Sequence, residues 1–423
     1  MSRPHLRPAW PCYRGGCLTD YPRQVDVLIA GAGPAGSATA ALLAQAGFSV
    51  LAVDRSAFPR DKACSEYMSP ETVRMLSRLG VLPALERAGA FALEGLQVIA
   101  PHGATAQGRF ALAPRPPFRP TGLSVSRRIL DFELVGAARA AGAVVAEQTW
   151  VEELLYDRGA INGAVVRQRG GQRHSIRARL TVGADGLRSV VARRLGRRTH
   201  GRPRRVAFVA HLAGVAGMTS FAELHFIQSA FVGLNPIGLD RINVGLVIPA
   251  AQAEPARGRL DQFFFDTLRR FPGVGDRIEA GEIVRPVLAT GPFAAWSGRV
   301  VAPGALLVGD AADFFDPVTG DGICSALRGA ELVAEAMVPA LSCGGPLAAG
   351  LAEYRRMRRR VFAGKWVLER MLSYAMQFPR LFDRAVARLG QREAMAHTLV
   401  GVAGAYVPAR EVLNPLFLTR MVL

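Results

Sequence analysis

The sequence predicts an α/β fold: a Rossmann-type parallel sheet, an antiparallel β-sheet inserted into it, and a helical C-terminal region. Three observations carry this. A short apolar run ends in a glycine turn and continues as a helix between Val25 and Gly47; four strand-like runs follow one another from Val206 to Ile248; and residues 346–423 are helical by pattern, with breaks at Pro379, Pro408 and Pro415. The expected division is a disordered tail over 1–23, a discontinuous Rossmann-type unit over 24–205 and 295–345, the inserted sheet over 206–294, and a helical region over 346–423.

The first block reads Val25-Asp26-Val27-Leu28-Ile29-Ala30, a run of buried-strand type, then Gly31-Ala32-Gly33-Pro34-Ala35-Gly36, then small and apolar residues at helical spacing to Ala46. A second strand from Phe48 to Val53 ends in Asp54, followed by Arg55. This pattern suits a dinucleotide: Gly31 permits the tight turn, Gly33 lets the backbone approach a pyrophosphate, Gly36 lets helix and strand pack closely, and the helix N-terminus faces the phosphates. Asp54 would accept hydrogen bonds from a ribose. A glycine turn also occurs in parallel α/β proteins without a dinucleotide, and this block alone leaves FAD and NAD(P) open.

With 423 residues, 50% of them hydrophobic, the chain can bury a large core and exceeds one compact unit. Its five cysteines form no CxxC pair and no ligand spacing, so a reducing, cytoplasmic compartment is expected. The net charge of +18 is dispersed and almost wholly arginine, Lys62 and Lys365 being the only lysines, so no nucleic-acid partner is expected. The densest run, Arg355 to Arg360, falls in a helical pattern and reads as a solvated face, with peripheral contact to an anionic membrane as the alternative. No stretch reaches the roughly 18 apolar residues of a spanning helix, and the first 23 residues lack a signal-peptide core.

Two later blocks and one helix start add to the first. Leu180-Thr181-Val182-Gly183-Ala184-Asp185-Gly186 follows a hairpin-like segment from Gly159 to Val166. Leu306-Leu307-Val308-Gly309-Asp310-Ala311-Ala312 continues through Asp316-Pro317-Val318-Thr319-Gly320-Asp321-Gly322-Ile323. Between them, Arg127-Arg128-Ile129-Leu130-Asp131 opens a helical pattern.

From about Val25 to the helix after Gly322, these runs resemble the flavoprotein superfamily that contains the aromatic hydroxylases of the para-hydroxybenzoate hydroxylase type, the geranylgeranyl reductases and the flavin-dependent halogenases. The resemblance implies FAD. It implies Gly31, Gly33, Pro34, Ala35 and Gly36 at the pyrophosphate, Asp54 with Arg55 at the ribose, and Arg127 beside the cofactor. It further implies Asp185 and Gly186 on the pyrophosphate side and Gly309 and Asp310 at the ribityl hydroxyls. The Pro317, Gly320, Gly322 and Ile323 turn would then set a helix N-terminus beside the flavin pyrimidine edge, where reduced flavin is anionic. Many members carry Glu where Asp54 stands.

The strand runs Val206–Val209, Ala222–Ile227, Ala230–Leu234 and Ile242–Ile248 read as the sheet that meets a small hydrophobic substrate, with Leu260, Phe263, Phe264, Leu268 and Phe271 on one face of a following helix, mainly as core. The halogenase signature is absent around Phe231 to Gly238, and neither lysine stands where that resemblance would put the active-site one. The geranylgeranyl reductase signatures survive in part, at Lys62-Ala63-Cys64 and Asn243-Val244-Gly245. They fail at Ser65 and Glu66, where glycines would stand, and at Gly233 and Asn235, where Trp and Phe would.

Cys64 reads as a buried inert thiol rather than a reactive one, and Glu66 and Tyr67 as loop residues rather than acid or base. His211 and His225 have no partner in the sequence, and no catalytic side chain is singled out. The expectation is therefore an FAD-dependent monooxygenase acting through a flavin C4a-hydroperoxide on an aromatic, polyketide or isoprenoid-derived compound, as in secondary metabolism, with a reductase of prenyl double bonds as the alternative and a flavin-free prenyl-binding escort as a minor one. No second glycine block follows, so NAD(P)H is expected as a transient electron donor.

Overall fold

The protein is described here by a computed structural model covering residues 21–196, 198–279 and 281–422, and the tail expected over 1–23 lies mostly outside them. Tyr21 corrects that boundary. It is buried, its hydroxyl hydrogen-bonds Thr149 Oγ1 at 2.7 Å, and its ring stacks on His174. A ring that buries its body and satisfies its hydroxyl extends the fold upstream of Gln24.

An eight-stranded sheet forms the nucleotide-binding half, in the order Val301–Ala302, Ala305–Leu307, Arg173–Gly183, Gln24–Ala30, Val50–Val53, Val144–Ala146. The pairs among the last five are parallel, with Val27 opposite both Leu180 and Val50, and Thr181 opposite Ala305. The expected hairpin is present as Thr149–Asp157 and Ala160–Gln168, paired onto Arg173–Gly183. The strand at Gln24–Ala30 is apolar on both faces because both are covered: Val27 and Ile29 pack into one core, Leu28 and Ala30 into another. Helix Pro34–Gln45 is buried from Pro34 to Ala44, and its run of Ala, Gly and Ser lets helices Arg127–Ala140 and Gly322–Ser342 approach it closely.

Glu331 fixes the Gly322–Ser342 helix to helix Pro70–Arg78. Its buried carboxylate accepts from Arg74 Nη2 at 2.9 Å, Arg78 Nη1 at 2.8 Å and Arg328 Nη1 at 2.8 Å. Burial alone would raise its pKa, but these hydrogen bonds outweigh it and hold the carboxyl below the ordinary glutamate range. A carboxyl lowered on folding stabilises above its unfolded pKa and loses that contribution as pH falls through the folded one. Glu331→Gln is therefore expected to lower unfolding stability at neutral pH by about 1–3 kcal/mol. In denaturant titrations across pH, the deficit should shrink toward acid.

The second sheet has seven strands, in the order Glu282–Thr290, Arg205–Ala213, Arg241–Pro249, Ala230–Pro236, Phe221–Ile227, Gly95–Ile99, Thr105–Arg109. The four runs expected as strands are all present. Two more come from outside the expected 206–294 unit, because Phe221–Ile227 pairs in parallel with Gly95–Ile99. One face packs on Phe264, Leu268 and Phe271 of the following helix region through Phe208, Ala210, Val232, Leu234, Val244 and Leu246. The other face carries Ala207, Val209, Phe226, Phe231 and Val247 against Val318, Phe293, Met376 and Phe382. The helices expected after residue 346 are Ala348–Ala375, Pro379–Gln391, Glu393–Ala403 and Pro415–Val422.

The arginine run of helix Ala348–Ala375 is not a uniform solvated face. Arg355, Arg356, Arg359 and Arg360 are exposed, but Arg358 is buried, paired with Asp313 and stacked over Phe362 and Trp366. No helix among the described residues is long and apolar enough to cross a membrane.

Candidate functional site

The glycine turn lies where the C-terminal ends of strands Gln24–Ala30, Arg173–Gly183 and Ala305–Leu307 meet the N-terminus of helix Pro34–Gln45. Each glycine has a distinct reason. Gly31 sits at φ 95°, and a Cβ there would lie 2.4 Å from Ala184 O. A Cβ at Gly36 would lie 1.8 Å from Gly31 O, so only glycine lets the helix close on its own turn. Gly33 instead faces open space, with only Arg60 Nη2 at 3.6 Å.

Asp54 accepts from Ala32 N at 2.8 Å and from Ser56 N at 2.9 Å, so the expected ribose ligand also braces the turn. Arg55 is exposed beside it, Pro34 occupies the first helical turn, and Ala35 is buried within 3.0 Å of where a Gly309 Cβ would stand.

Asp185, expected on the pyrophosphate side, also caps a helix. One of its oxygens accepts from Val190 N at 2.6 Å and Val191 N at 3.4 Å, capping helix Val190–Leu195. The other is buried without a hydrogen-bond partner among the described residues, and burial pushes the carboxyl above its ordinary pKa. Gly186, at φ 75°, has Lys62 Nζ as its near neighbour.

Asp310 lies beyond Gly309, half-buried, and its carboxylate meets no hydrogen-bond donor among the described residues. Desolvation raises its pKa, with Lys62, Arg127 and Lys365 opposing.

The groove between these groups is cationic. Arg127 is buried, forms a two-pronged pair with Asp131 at 2.8 and 2.9 Å, and shares that carboxylate with Arg60 at 2.9 Å. Lys62 is held below the ordinary lysine pKa by desolvation and then by Arg127 and Arg60, although its side chain reaches solvent along the groove. An anion there would relieve that crowding.

At the far end, Asp316 caps the Pro317–Thr319 turn by accepting from Val318 N at 3.1 Å. Gly320 follows at φ 67° against the Tyr67 ring, and Gly322 opens a 21-residue helix with Ile323 buried. Lys365 reaches Asp321 and Glu369, each at 3.3 Å, beside that helix start. Both lysines thus border the groove, which the sequence did not indicate. Lys365 is matched by protein carboxylates, whereas Lys62 makes no ion pair among the described residues.

The sequence also missed a buried cluster on the sheet face opposite. Arg285, His211, Asn243 and Asn235 stand in register across four adjacent strands. They meet the segment Cys64–Glu66: Asn243 Nδ2 donates to Cys64 O at 2.7 Å and to Glu66 Oε2 at 2.8 Å, and Asn235 Nδ2 donates to Ser65 O at 3.0 Å. Glu66 Oε2 also pairs with His211 Nε2 at 2.8 Å, and Glu66 Oε1 accepts from Arg127 N at 2.9 Å. Glu66 is 1% exposed and sits at φ 61°, a left-handed conformation that costs a non-glycine residue about 1–3 kcal/mol. His225 has a partner too: Glu223, at 2.8 Å, itself gripped by Arg277.

A family described as the FAD-binding domain matches residues 24–269. The chain belongs to this family. Among curated relatives of this FAD-dependent oxidoreductase, a menaquinone reductase of Mycolicibacterium smegmatis is 31% identical over 330 residues, covering 74% of this chain and 76% of the relative. A digeranylgeranylglycerophospholipid reductase of Methanospirillum hungatei is 30% identical over 372 residues, covering 85% and 87%. The solved structure of a flavoprotein/dehydrogenase from Cytophaga hutchinsonii superposes with a TM-score of 0.82 at 19% identity, over 94% of this chain and 97% of that one, a likeness of fold. The residues present suit FAD: the open backbone at Gly33 and the cations Arg60, Lys62 and Arg127 match a pyrophosphate, and the unpartnered Asp310 carboxylate matches hydroxyl donors.

Proposed function

We propose that this FAD-dependent oxidoreductase saturates carbon–carbon double bonds in the polyprenyl chain of a lipid or quinone. The observation that carries this reading is the likeness, at 30–31% identity over about three-quarters or more of the chain, to two proteins named as a menaquinone reductase and a digeranylgeranylglycerophospholipid reductase. It favours the reductase over the monooxygenase that the sequence led one to expect. Bound FAD, once reduced, would supply the hydride, with NAD(P)H proposed as the donor that reduces it.

Gly33, Arg60, Lys62 and Arg127 would hold the pyrophosphate, Asp54 the ribose, and Asp310 the ribityl chain. The start of helix Gly322–Ser342 would favour negative charge beside the ring. The apolar cluster of Ala207, Val209, Val247, Phe226 and Phe231 would keep water from an isolated double bond beside it.

Anaerobic single turnover tests this. Photoreduced holoprotein mixed with a geranylgeranyl-chain lipid is expected to return to oxidised flavin without oxygen. If reoxidation requires oxygen and is accelerated by aromatic substrates, the monooxygenase reading replaces this one.

A further inference from the structure

We propose that His211 is the proton donor of the reduction and that Glu66 is the positioning residue that orients it. This rests on the reductase reading above. Saturating a double bond requires a hydride at one carbon and a proton at the other, and an isolated alkene offers no heteroatom through which the proton could arrive. The protein must therefore hold an acid against the apolar chain.

His211 is placed for that role. It projects from strand Arg205–Ala213 on the same face as Ala207 and Val209, which belong to the apolar cluster containing Val318 of the turn before helix Gly322–Ser342. Its Nε2 faces Glu66 Oε2 at 2.8 Å, while its Nδ1 has no hydrogen-bond partner among the described residues. Glu66 is itself fixed from two other sides, by Asn243 Nδ2 and by the backbone amide of Arg127 at the start of its helix.

The charged groups around the pair are few. Arg285 stands opposite His211 on the neighbouring strand and interacts with Glu66, Asp61 and Cys64; Arg127 lies behind Glu66; Asn243 and Asn235 on the other side are neutral. The Glu66 carboxylate is thus the anion in direct contact with the ring, and it fixes the ring's orientation.

The step balances. The Nδ1–H bond of the imidazolium breaks, its proton forms the new C–H bond at the carbon that does not receive the hydride, and the neutral ring regains a proton from water. The two electrons would be supplied by bound FAD, with a nicotinamide-class donor as the proposed reductant.

The test uses FAD-loaded protein and a geranylgeranyl-chain lipid, with His211→Gln, whose amide can still donate to Glu66, and Glu66→Gln. Both variants are expected to retain flavin and wild-type flavin reduction. Anaerobic reoxidation by the lipid should slow by about 100-fold or more in His211→Gln. In Glu66→Gln the pH profile of reoxidation should change, and the His211 ring signals in ¹⁵N-histidine spectra of the protein without substrate should shift as the ring loses the carboxylate that orients it.

Wild-type reoxidation rates and an unchanged pH profile in His211→Gln would overturn the proposal, even if Glu66→Gln failed to fold. A wild-type enzyme that does not reduce the lipid at all would instead overturn the reductase reading, and this inference with it.

Discussion

Gly33→Ala and Gly36→Ala are expected to fail in different ways, although both lie in one glycine turn. At Gly36 an added methyl would sit 1.8 Å from Gly31 O and 2.8 Å from Gly31 C, backbone atoms that cannot rotate away. The helix must lift from the turn, and the Ala and Val side chains beneath it lose contact. Overpacking of this kind costs about 1–3 kcal/mol and more where the obstacle is backbone, so Gly36→Ala should yield poorly folded protein without flavin.

At Gly33 the same methyl meets only Arg60 Nη2 at 3.6 Å, so Gly33→Ala should melt like the wild type. It should nonetheless bind FAD at least tenfold more weakly, because the methyl would occupy the open side on which the proposed pyrophosphate site lies. That is about 1.4 kcal/mol. Thermal melting and flavin titration on the two variants separate these effects, and equal behaviour of the pair would refute the assignment.

Arg205→Ala should be the most destabilising change outside the nucleotide half. Arg205 is 1% exposed and pairs with Asp316, and its Nη2 donates to Ser373 O at 3.1 Å and its Nε to Ser229 O at 3.2 Å. Ser373 Oγ donates to Asp316 at 2.7 Å, so one buried cation joins the inserted sheet, the turn before helix Gly322–Ser342 and the long C-terminal helix.

Removing it leaves a buried carboxylate without its counter-charge, which costs about 3–5 kcal/mol. Burial already raises the Asp316 pKa, with Arg205, Ser373 and the Val318 amide opposing. Without Arg205 the value must rise further. A carboxyl raised on folding costs stability as pH climbs from its unfolded to its folded pKa, so the loss should be largest at neutral pH and smaller in acid. Denaturant titration at two pH values checks this, and the paired change Arg205→Met with Asp316→Asn should recover much of the loss.

What the sequence made legible was local. Strand, turn and helix from Val25 to Ala46 are spelled by apolar periodicity and by glycines, of which Gly31 and Gly36 have steric reasons, and the four strands from Val206 to Ile248 by alternation. The Gly309-Asp310 block and the Arg127 helix start were found in the same way. What escaped it depends on register between distant segments. Glu66 and His211 are 145 positions apart, and nothing near either marks the other.

Gly95–Ile99 joins the inserted sheet only because Phe221–Ile227 pairs with it in parallel, a choice that local pattern does not encode. Arg358 reads as one of a run of surface arginines until the helix turns it onto Asp313. Asp185 reads as a cofactor ligand, and nothing in its neighbourhood marks that one of its oxygens also caps a helix.

The most direct test of the central claim is the mass of the product formed in a single anaerobic turnover of the FAD-loaded, reduced protein with a geranylgeranyl-chain lipid. The expected product is a lipid that has gained two hydrogen atoms, in yield matching the flavin reoxidised. A lipid unchanged without oxygen, which gains one oxygen atom when oxygen is admitted, would contradict it.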